Sequence, residues 1–132
     1  MWLSRPVMIL LACAAAAVGG CGGDDDAVVD RDGALQLKLD EYRILPSEIT
    51  VRPGRIHIVA RNEGVLTHNV VVQIPAESEE KKPAALGRTD TAHPGQTVTA
   101  DVTLKPGTYR LACTIGNHVN LGQYAKLVVR AP

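Results

Sequence analysis

Cys113 and His118 stand five residues apart, a spacing at which a thiol and an imidazole can bind the same metal ion. In an exported protein a free thiol is open to oxidation, and holding it as a metal-bound thiolate protects it. The segment from Cys113 to His118 therefore indicates a metal site. The alternative for Cys113 alone is a small buried hydrophobe, and for His118 alone an ordinary loop histidine.

The N-terminal residues predict export. Arg5 precedes an apolar run over residues 7–18, which is too short to cross a bilayer as a helix and is typical of a signal peptide. The run leads into Val18-Gly19-Gly20-Cys21, which resembles the bacterial lipoprotein signal, whose cysteine is lipidated after cleavage. An ordinary small-residue cleavage site is the alternative. With residues 1–20 removed and Cys21 lipidated, Cys113 is left as the free thiol.

The residues after the predicted signal form a tether and then one domain. Residues 21–33 are rich in glycine and aspartate and too polar to pack, so we expect a flexible acidic tether. Residues 34–132 are enough for one domain with a modest core. The chain has 14 Lys and Arg against 14 Asp and Glu, without a basic stripe, which argues against a nucleic-acid partner.

Alternation of apolar and polar residues predicts strands through most of residues 34–130. Leu35, Leu37 and Leu39 alternate with polar residues, and turn pairs such as Pro53-Gly54 and Pro106-Gly107 separate such runs. Seven or eight short strands in a domain of this size predict an all-β sandwich. The mixed-charge run of Glu77, Glu79, Glu80, Lys81 and Lys82 is expected to be a solvated insertion, and the segment from Glu77 to Leu86 to form at most a turn or two of helix.

The same alternation predicts which way the candidate ligands point, because residues two apart share one face of a strand. His68 is in phase with Val70, Val72 and Ile74. Cys113 is in phase with Leu111, and Gln123 with Ala125, Leu127 and Val129. All three side chains should therefore face inward at strand ends, with His118 in the loop between Cys113 and Gln123.

Several short motifs carry a resemblance to a known family. They are Asn62-Glu63-Gly64 before Thr67-His68-Asn69-Val70, then Pro94-Gly95-Gln96, then Gly107 to Cys113, and finally His118 with Gly122-Gln123. In this order and spacing the chain resembles the cupredoxins, the small blue-copper proteins that include plastocyanin, azurin and stellacyanin. The resemblance covers about residues 34–130 and implies a cupredoxin-like Greek-key β-sandwich.

The resemblance also implies a ligand set. In cupredoxins the first histidine precedes a strand, and the cysteine, the second histidine and the axial ligand share one loop near the C-terminus. His68, Cys113, His118 and Gln123 match this order, and together they imply one type 1 copper ion. Two imidazoles and a thiolate form a trigonal site, with a weak axial contact that tunes the potential. The residue after the first histidine, Asn69, is implied to link the two ligand loops.

The axial position departs from the common pattern of the family. Most cupredoxins have methionine there, but Met1 and Met8 both lie in the predicted signal peptide. Gln123 occupies the matching position and resembles the axial glutamine of stellacyanin-like proteins. An amide oxygen is a harder donor than a thioether and favours Cu(II), so we predict a lower reduction potential. Alternatively, Gln123 hydrogen-bonds the backbone and leaves a three-coordinate metal.

A second departure lies in the turn between Cys113 and His118. Many cupredoxins have Pro-Gly where this chain has Gly116-Asn117. Asparagine tolerates a left-handed backbone, so the turn can be kept at Asn117. Glycine in place of proline is expected to loosen the loop.

The resemblance implies electron transfer without catalysis, by a monomer that meets its redox partners transiently. In the family the second histidine lies in an apolar surface patch, which here would comprise Ile115, Val119 and Leu121 around His118. A lipid on Cys21 would hold the domain at an extracytoplasmic membrane surface of the bacterial envelope, close to membrane redox partners. The alternatives are copper delivery or buffering, and a metal-free envelope binding module in which His68 and Cys113 are structural.

Overall fold

A computed structural model of the chain describes residues 33–78 and 80–131. The predicted signal peptide, the lipidation site at Cys21 and nearly all of the tether lie outside these residues. Nine strands are present in the described ranges: β1 (Ala34–Asp40), β2 (Arg43–Leu45), β3 (Glu48–Val51), β4 (Gly54–Asn62), β5 (Val71–Ile74), β6 (Ala84–Arg88), β7 (Thr97–Leu104), β8 (Gly107–Ala112) and β9 (Tyr124–Val129). A 3-10 turn, His118–Leu121, precedes β9.

The strands form two sheets that pack face to face. One has the order β2-β1-β4-β7 and the other β3-β9-β8-β5-β6. Both are mixed, since β1 pairs with β4 in parallel and β3 with β9 in parallel, whereas the other pairings are antiparallel. The predicted all-β sandwich is confirmed, with nine strands in place of seven or eight.

The core lies between the sheets and is built by alternation. Along β1 the residues Leu35, Leu37 and Leu39 are buried while Gln36 and Lys38 are exposed. Burial of one aliphatic side chain of this size contributes about 1.5–3 kcal/mol, so each inward position favours the observed register over a shift by one residue. Ile58 at the middle of β4 is fully buried in the same cluster.

Two segments depart from simple alternation. Residues 70–73 are all buried, and the register between β5 and β6 shifts between Val72 and Gln73, so the predicted inward face of Ile74 is wrong: this residue is 46% exposed. The segment from Glu77 to Leu86, where a turn or two of helix was expected, instead runs into strand β6, which begins at Ala84 and pairs with β5. Its residues are mostly exposed, so no buried face marks this strand in the sequence.

In the part of the chain that the structure describes, no helix has the length and hydropathy needed to span a bilayer.

Candidate metal centre

The fold brings His68, Cys113 and His118 together from separate segments. His68 lies between β4 and β5, where its backbone forms an antiparallel bridge with Ala92. Cys113 directly follows β8, and its amide donates to the carbonyl of Gln123 at 3.0 Å. His118 begins the 3-10 turn. The backbone beside each candidate ligand is therefore held in place by hydrogen bonds.

The three side chains are spaced for one shared metal ion. Their ligand atoms lie within 4.8 Å of one another, and Cys113 Sγ is 3.6 Å from His118 Nδ1. The ring centroids of the two histidines are 5.2 Å apart. His68 and Cys113 are fully buried, and His118 is half-buried. Two imidazoles and a thiol form a soft, nitrogen- and sulfur-rich donor set of the kind that copper prefers.

Two residues of the predicted ligand set carry a buried polar atom without a hydrogen bond. Among the described residues, two buried side-chain nitrogen or oxygen atoms lack a partner, His68 Nδ1 and Gln123 Oε1. An unpaired buried polar atom costs about 1–3 kcal/mol, and native folds rarely keep one without a reason. Both atoms belong to residues of the predicted ligand set, so the residues fit a metal ion at this position.

Gln123 is fully buried and held through its amide nitrogen. Nε2 donates to the carbonyl of Asp40 at 2.8 Å and more weakly to that of Arg43. Because both partners are acceptors, the nitrogen must face them, which leaves Oε1 as the unpaired atom. The two roles weighed for Gln123 are thus compatible, since the nitrogen bonds the backbone while the oxygen stays available as an axial donor.

Asn69 bridges the two ligand segments. Its Oδ1 accepts a hydrogen bond from the amide of Thr114 at 2.8 Å, and its Nδ2 donates to the hydroxyl of Thr114 at 3.0 Å. Asn69 adjoins His68 in the chain and Thr114 adjoins Cys113. These hydrogen bonds therefore tie the first histidine to the thiol over a separation of 45 residues.

Glu41 is a neighbour of the site that the sequence did not reveal. Its Oε1 lies 3.4 Å from His68 Nε2 and accepts the amides of Val65 and Leu66 at 2.7 and 2.9 Å. The pKa of Glu41 lies below its ordinary value, chiefly because the Leu66 amide donates to the carboxylate, with further lowering from Val65 and His68. Glu41 stands in the turn between β1 and β2, where an acid has the pattern of any solvated surface residue.

The turn between Cys113 and His118 uses glycine, not asparagine, for the left-handed residue. Gly116 has φ +53°, whereas Asn117 has φ −106°. The expectation that Asn117 would take this conformation is therefore wrong. Glycine adopts this conformation without a steric penalty, so the turn does not need a left-handed asparagine.

The apolar residues that lie close to His118 in the chain are at least partly exposed. Leu121 is 49% exposed, and Ile115 and Val119 are partly exposed. Tyr42 adds an aromatic ring that meets the His118 ring edge-on, with centroids 5.5 Å apart. Sequence patterns do not reveal Tyr42 as a neighbour, because it lies on the turn after β1, far from His118 in the chain.

Solved structures resemble this fold. An auracyanin from the photosynthetic bacterium Roseiflexus castenholzii, reduced with sodium dithionite, matches with a TM-score of 0.66 and 21% identity over 75% of this chain and 98% of that chain. Auracyanin A, a "blue" copper protein from the green thermophilic photosynthetic bacterium Chloroflexus aurantiacus, matches with a TM-score of 0.61 and 22% identity over 74% and 100%. Auracyanin B matches with a TM-score of 0.62 and 16% identity over 74% and 88%. At these identities the likeness concerns the fold. No curated protein matches the chain.

The fold and the clustered donors define a β-sandwich protein with a candidate metal site at one end. The family model described as a cupredoxin-like domain matches residues 6–129. The chain belongs to the cupredoxin-like family, which confirms the resemblance seen in its motifs. Together with the cluster of His68, Cys113 and His118, membership of this family implies one copper ion.

Proposed function

We propose that this protein is an electron carrier with one type 1 copper site. The observation that carries the proposal is the buried thiol of Cys113 beside two imidazoles, and both His68 and Gln123 have a buried polar atom without a hydrogen-bond partner. His68 Nδ1, Cys113 Sγ and His118 Nδ1 would hold the metal, with Gln123 Oε1 as the axial donor. Bound copper would supply a one-electron couple between Cu(I) and Cu(II).

The chain's own residues would keep the site rigid and dry. The Cys113 amide donates a hydrogen bond to the Gln123 carbonyl, and the Asn69 side chain donates one to the Thr114 hydroxyl. The segments that carry the metal donors are thus held by both backbone and side-chain hydrogen bonds. Preorganised ligands change little between oxidation states, which favours fast electron transfer. Burial of Cys113 also excludes water and oxidants from the thiolate.

The half-buried ring of His118 is the proposed route to a partner. Ile115, Val119 and Leu121 would form a weakly binding apolar contact surface around it, as suits a protein that must release each partner quickly. In this proposal the protein carries electrons and does not act as an enzyme.

We further propose a location in the bacterial cell envelope, with the domain anchored by a lipid on Cys21 and separated from the membrane by residues 21–33. The support is the sequence of the first 33 residues. Fractionation of cells that express the full chain tests it: the wild type should sediment with membranes, and Cys21→Ala should not. Equal distribution of both proteins would contradict the anchor.

Copper titration of the purified domain tests the metal site. Cu(II) should give an intense visible absorption band from thiolate-to-copper charge transfer, and Cys113→Ser should abolish it. No band in the wild type, or a band that persists in Cys113→Ser, would overturn the proposal. A bound copper that exchanges between proteins faster than electrons do would instead indicate copper delivery or buffering.

The axial donor is tested by Gln123→Met. A thioether is softer than an amide oxygen and stabilises Cu(I), so the reduction potential of the variant should rise. Spectroelectrochemical titration of the wild type and the variant measures it. An unchanged or lower potential in Gln123→Met would show that Gln123 is not an axial ligand.

A further inference from the structure

Glu41 is the carboxylate that contacts a ligand of the candidate copper site, and the described residues place it there by more than one interaction. Its Oε1 accepts the amides of Val65 and Leu66, which lie just before His68 in the chain, and lies 3.4 Å from His68 Nε2. A single oxygen atom therefore contacts both the backbone that precedes His68 and the Nε2 atom of the His68 ring.

Gly64 makes room for this contact. A Cβ atom at position 64 would lie 2.9 Å from the Cδ of Glu41, closer than real Cβ atoms approach other heavy atoms. The amide of Gly64 is in turn bonded to the Asn62 side chain at 2.9 Å. The turn from Asn62 to Leu66 thus leaves space for the Glu41 carboxylate at Gly64 and donates two amide hydrogen bonds to it.

The contact decides which nitrogen of His68 can bind a metal. A neutral imidazole carries one N–H and one lone pair, and an ionised carboxylate can only accept. Nε2 must therefore carry the hydrogen that faces Glu41. The lone pair then falls on Nδ1, the buried nitrogen that has no hydrogen-bond partner.

We propose that Glu41 is a positioning residue for the copper site, which fixes the orientation and tautomer of His68 and lowers the reduction potential through its negative charge. This inference rests on the proposed function. A carboxylate behind a metal-binding histidine makes the imidazole a stronger donor, and a stronger donor stabilises Cu(II) more than Cu(I). Removing such a partner typically weakens metal affinity about 10–100-fold. The 3.4 Å separation is longer than a strong hydrogen bond, which places Glu41 at the lower end of that range.

Three variants separate the roles of contact and charge. Glu41→Ala removes both the contact and the charge. Glu41→Gln keeps an oxygen that can accept the same hydrogen bonds but removes the charge. Glu63→Gln is the matched control, because it removes a nearby carboxylate that pairs with the surface residues Lys38 and Arg61 and not with His68.

The first measurement uses the copper-free protein. Long-range nitrogen-proton correlation NMR reports which nitrogen of His68 carries the hydrogen. We expect the Nε2–H form in the wild type, in Glu41→Gln and in Glu63→Gln, and a mixture of both forms in Glu41→Ala. The Nδ1–H form in the wild type, or the wild-type tautomer in Glu41→Ala, would overturn the positioning role.

The second measurement is the reduction potential of the copper-loaded proteins. Glu41→Ala should weaken Cu(II) binding about tenfold more than Cu(I) binding, which corresponds to a rise in potential of about 59 mV for a one-electron couple. Glu41→Gln should rise by less, and Glu63→Gln should stay close to the wild type. Equal shifts in Glu41→Ala and Glu63→Gln would overturn the inference by showing only a distant charge effect.

Failure of the proposed function gives a different result. A wild type without the thiolate-to-copper band contradicts the copper carrier and the effect of Glu41 on potential, whereas the copper-free NMR spectra still decide whether Glu41 positions His68.

Discussion

The middle of the sandwich and its ligand-bearing end differ in how completely their buried groups are satisfied. In the middle, side chains such as Leu35, Ile58 and Leu127 are fully buried against other apolar side chains. At the ligand-bearing end, His68 and Gln123 are just as buried, yet each keeps one polar atom without a partner. The apolar region is stabilised by packing alone, whereas at the other end a ligand that paired with these two atoms would add stability.

The buried polar residues themselves show the same contrast. Asn62 is fully buried and bonded through both side-chain atoms, with Nδ2 donating to the carbonyls of Leu66 and Ala92 and Oδ1 accepting the amide of Gly64. Such a residue serves the fold. Asn62 and His68 are equally buried, but only His68 has a polar atom without a hydrogen-bond partner. Such an unpaired atom, and not the burial of a polar side chain, distinguishes a binding site from a structural hydrogen-bond network.

Copper should therefore stabilise the folded domain strongly. At a free concentration a thousand times Kd, a ligand that binds only the folded state adds about 4 kcal/mol to the free energy of unfolding. Chemical denaturation with and without a buffered copper source measures this, and Cys113→Ser is the control. Equal stabilisation of the wild type and Cys113→Ser would place the copper elsewhere.

Ile58→Ala should destabilise the middle of the sandwich without changing the site. Loss of a fully buried isoleucine leaves a cavity and costs about 2–5 kcal/mol. Urea unfolding of the copper-free protein measures the loss. Val59→Ala, at the half-buried neighbouring position on β4, should cost less than about 1 kcal/mol. A loss of the copper absorption band in folded Ile58→Ala would contradict the independence of the two regions.

Asn69→Ala should have an intermediate effect at the ligand-bearing end. It removes the acceptor of the Thr114 amide and leaves that donor unpaired, which costs about 1–3 kcal/mol. Urea unfolding of the copper-free variant measures it. Asn120→Ala, at an exposed position in the 3-10 turn, is the control and should change stability by no more than about 0.5 kcal/mol. Equal effects of the two substitutions would show that the bridge is not stabilising.

The smallest effect is expected on the outer face of the sandwich. The pKa of Asp101 lies below its ordinary value of 3.8, chiefly because the His57 ring hydrogen-bonds to it, with a contribution from Arg55. A carboxyl with a lowered folded pKa stabilises the fold above its unfolded pKa, and the contribution is lost as the pH falls through the folded value. Asp101 is exposed, so the contribution is small.

Asp101→Asn should therefore make the free energy of unfolding fall less steeply as the pH drops below 3.8. Urea unfolding of both proteins, repeated at steps of about 0.5 pH from about pH 5 downward, measures the free energy of unfolding at each pH. If the free energy of unfolding of the variant fell more steeply with decreasing pH than that of the wild type, the pKa of Asp101 would not be lowered in the folded protein.

Local sequence was enough for the fold class and for the residues that cluster. Alternation along β1 and β4 is a property of neighbouring residues, because successive side chains of a strand point to opposite faces. It placed His68, Cys113 and Gln123 inward, and all three are fully buried. Alternation failed at β6, whose exposed residues carry no periodic signal, and at Ile74, which follows a shift in register.

The chemistry available to this protein was determined by its sequence: a buried thiol, two imidazoles and an amide, in an order that matches the cupredoxin-like family. The tertiary structure decided which groups control them. Glu41 meets His68 across 27 residues and Asn69 meets Thr114 across 45, and both contacts depend on strand pairings distant in the chain. Residue types are fixed by covalent structure, whereas the partner of each buried atom is fixed only when the sheets close around it.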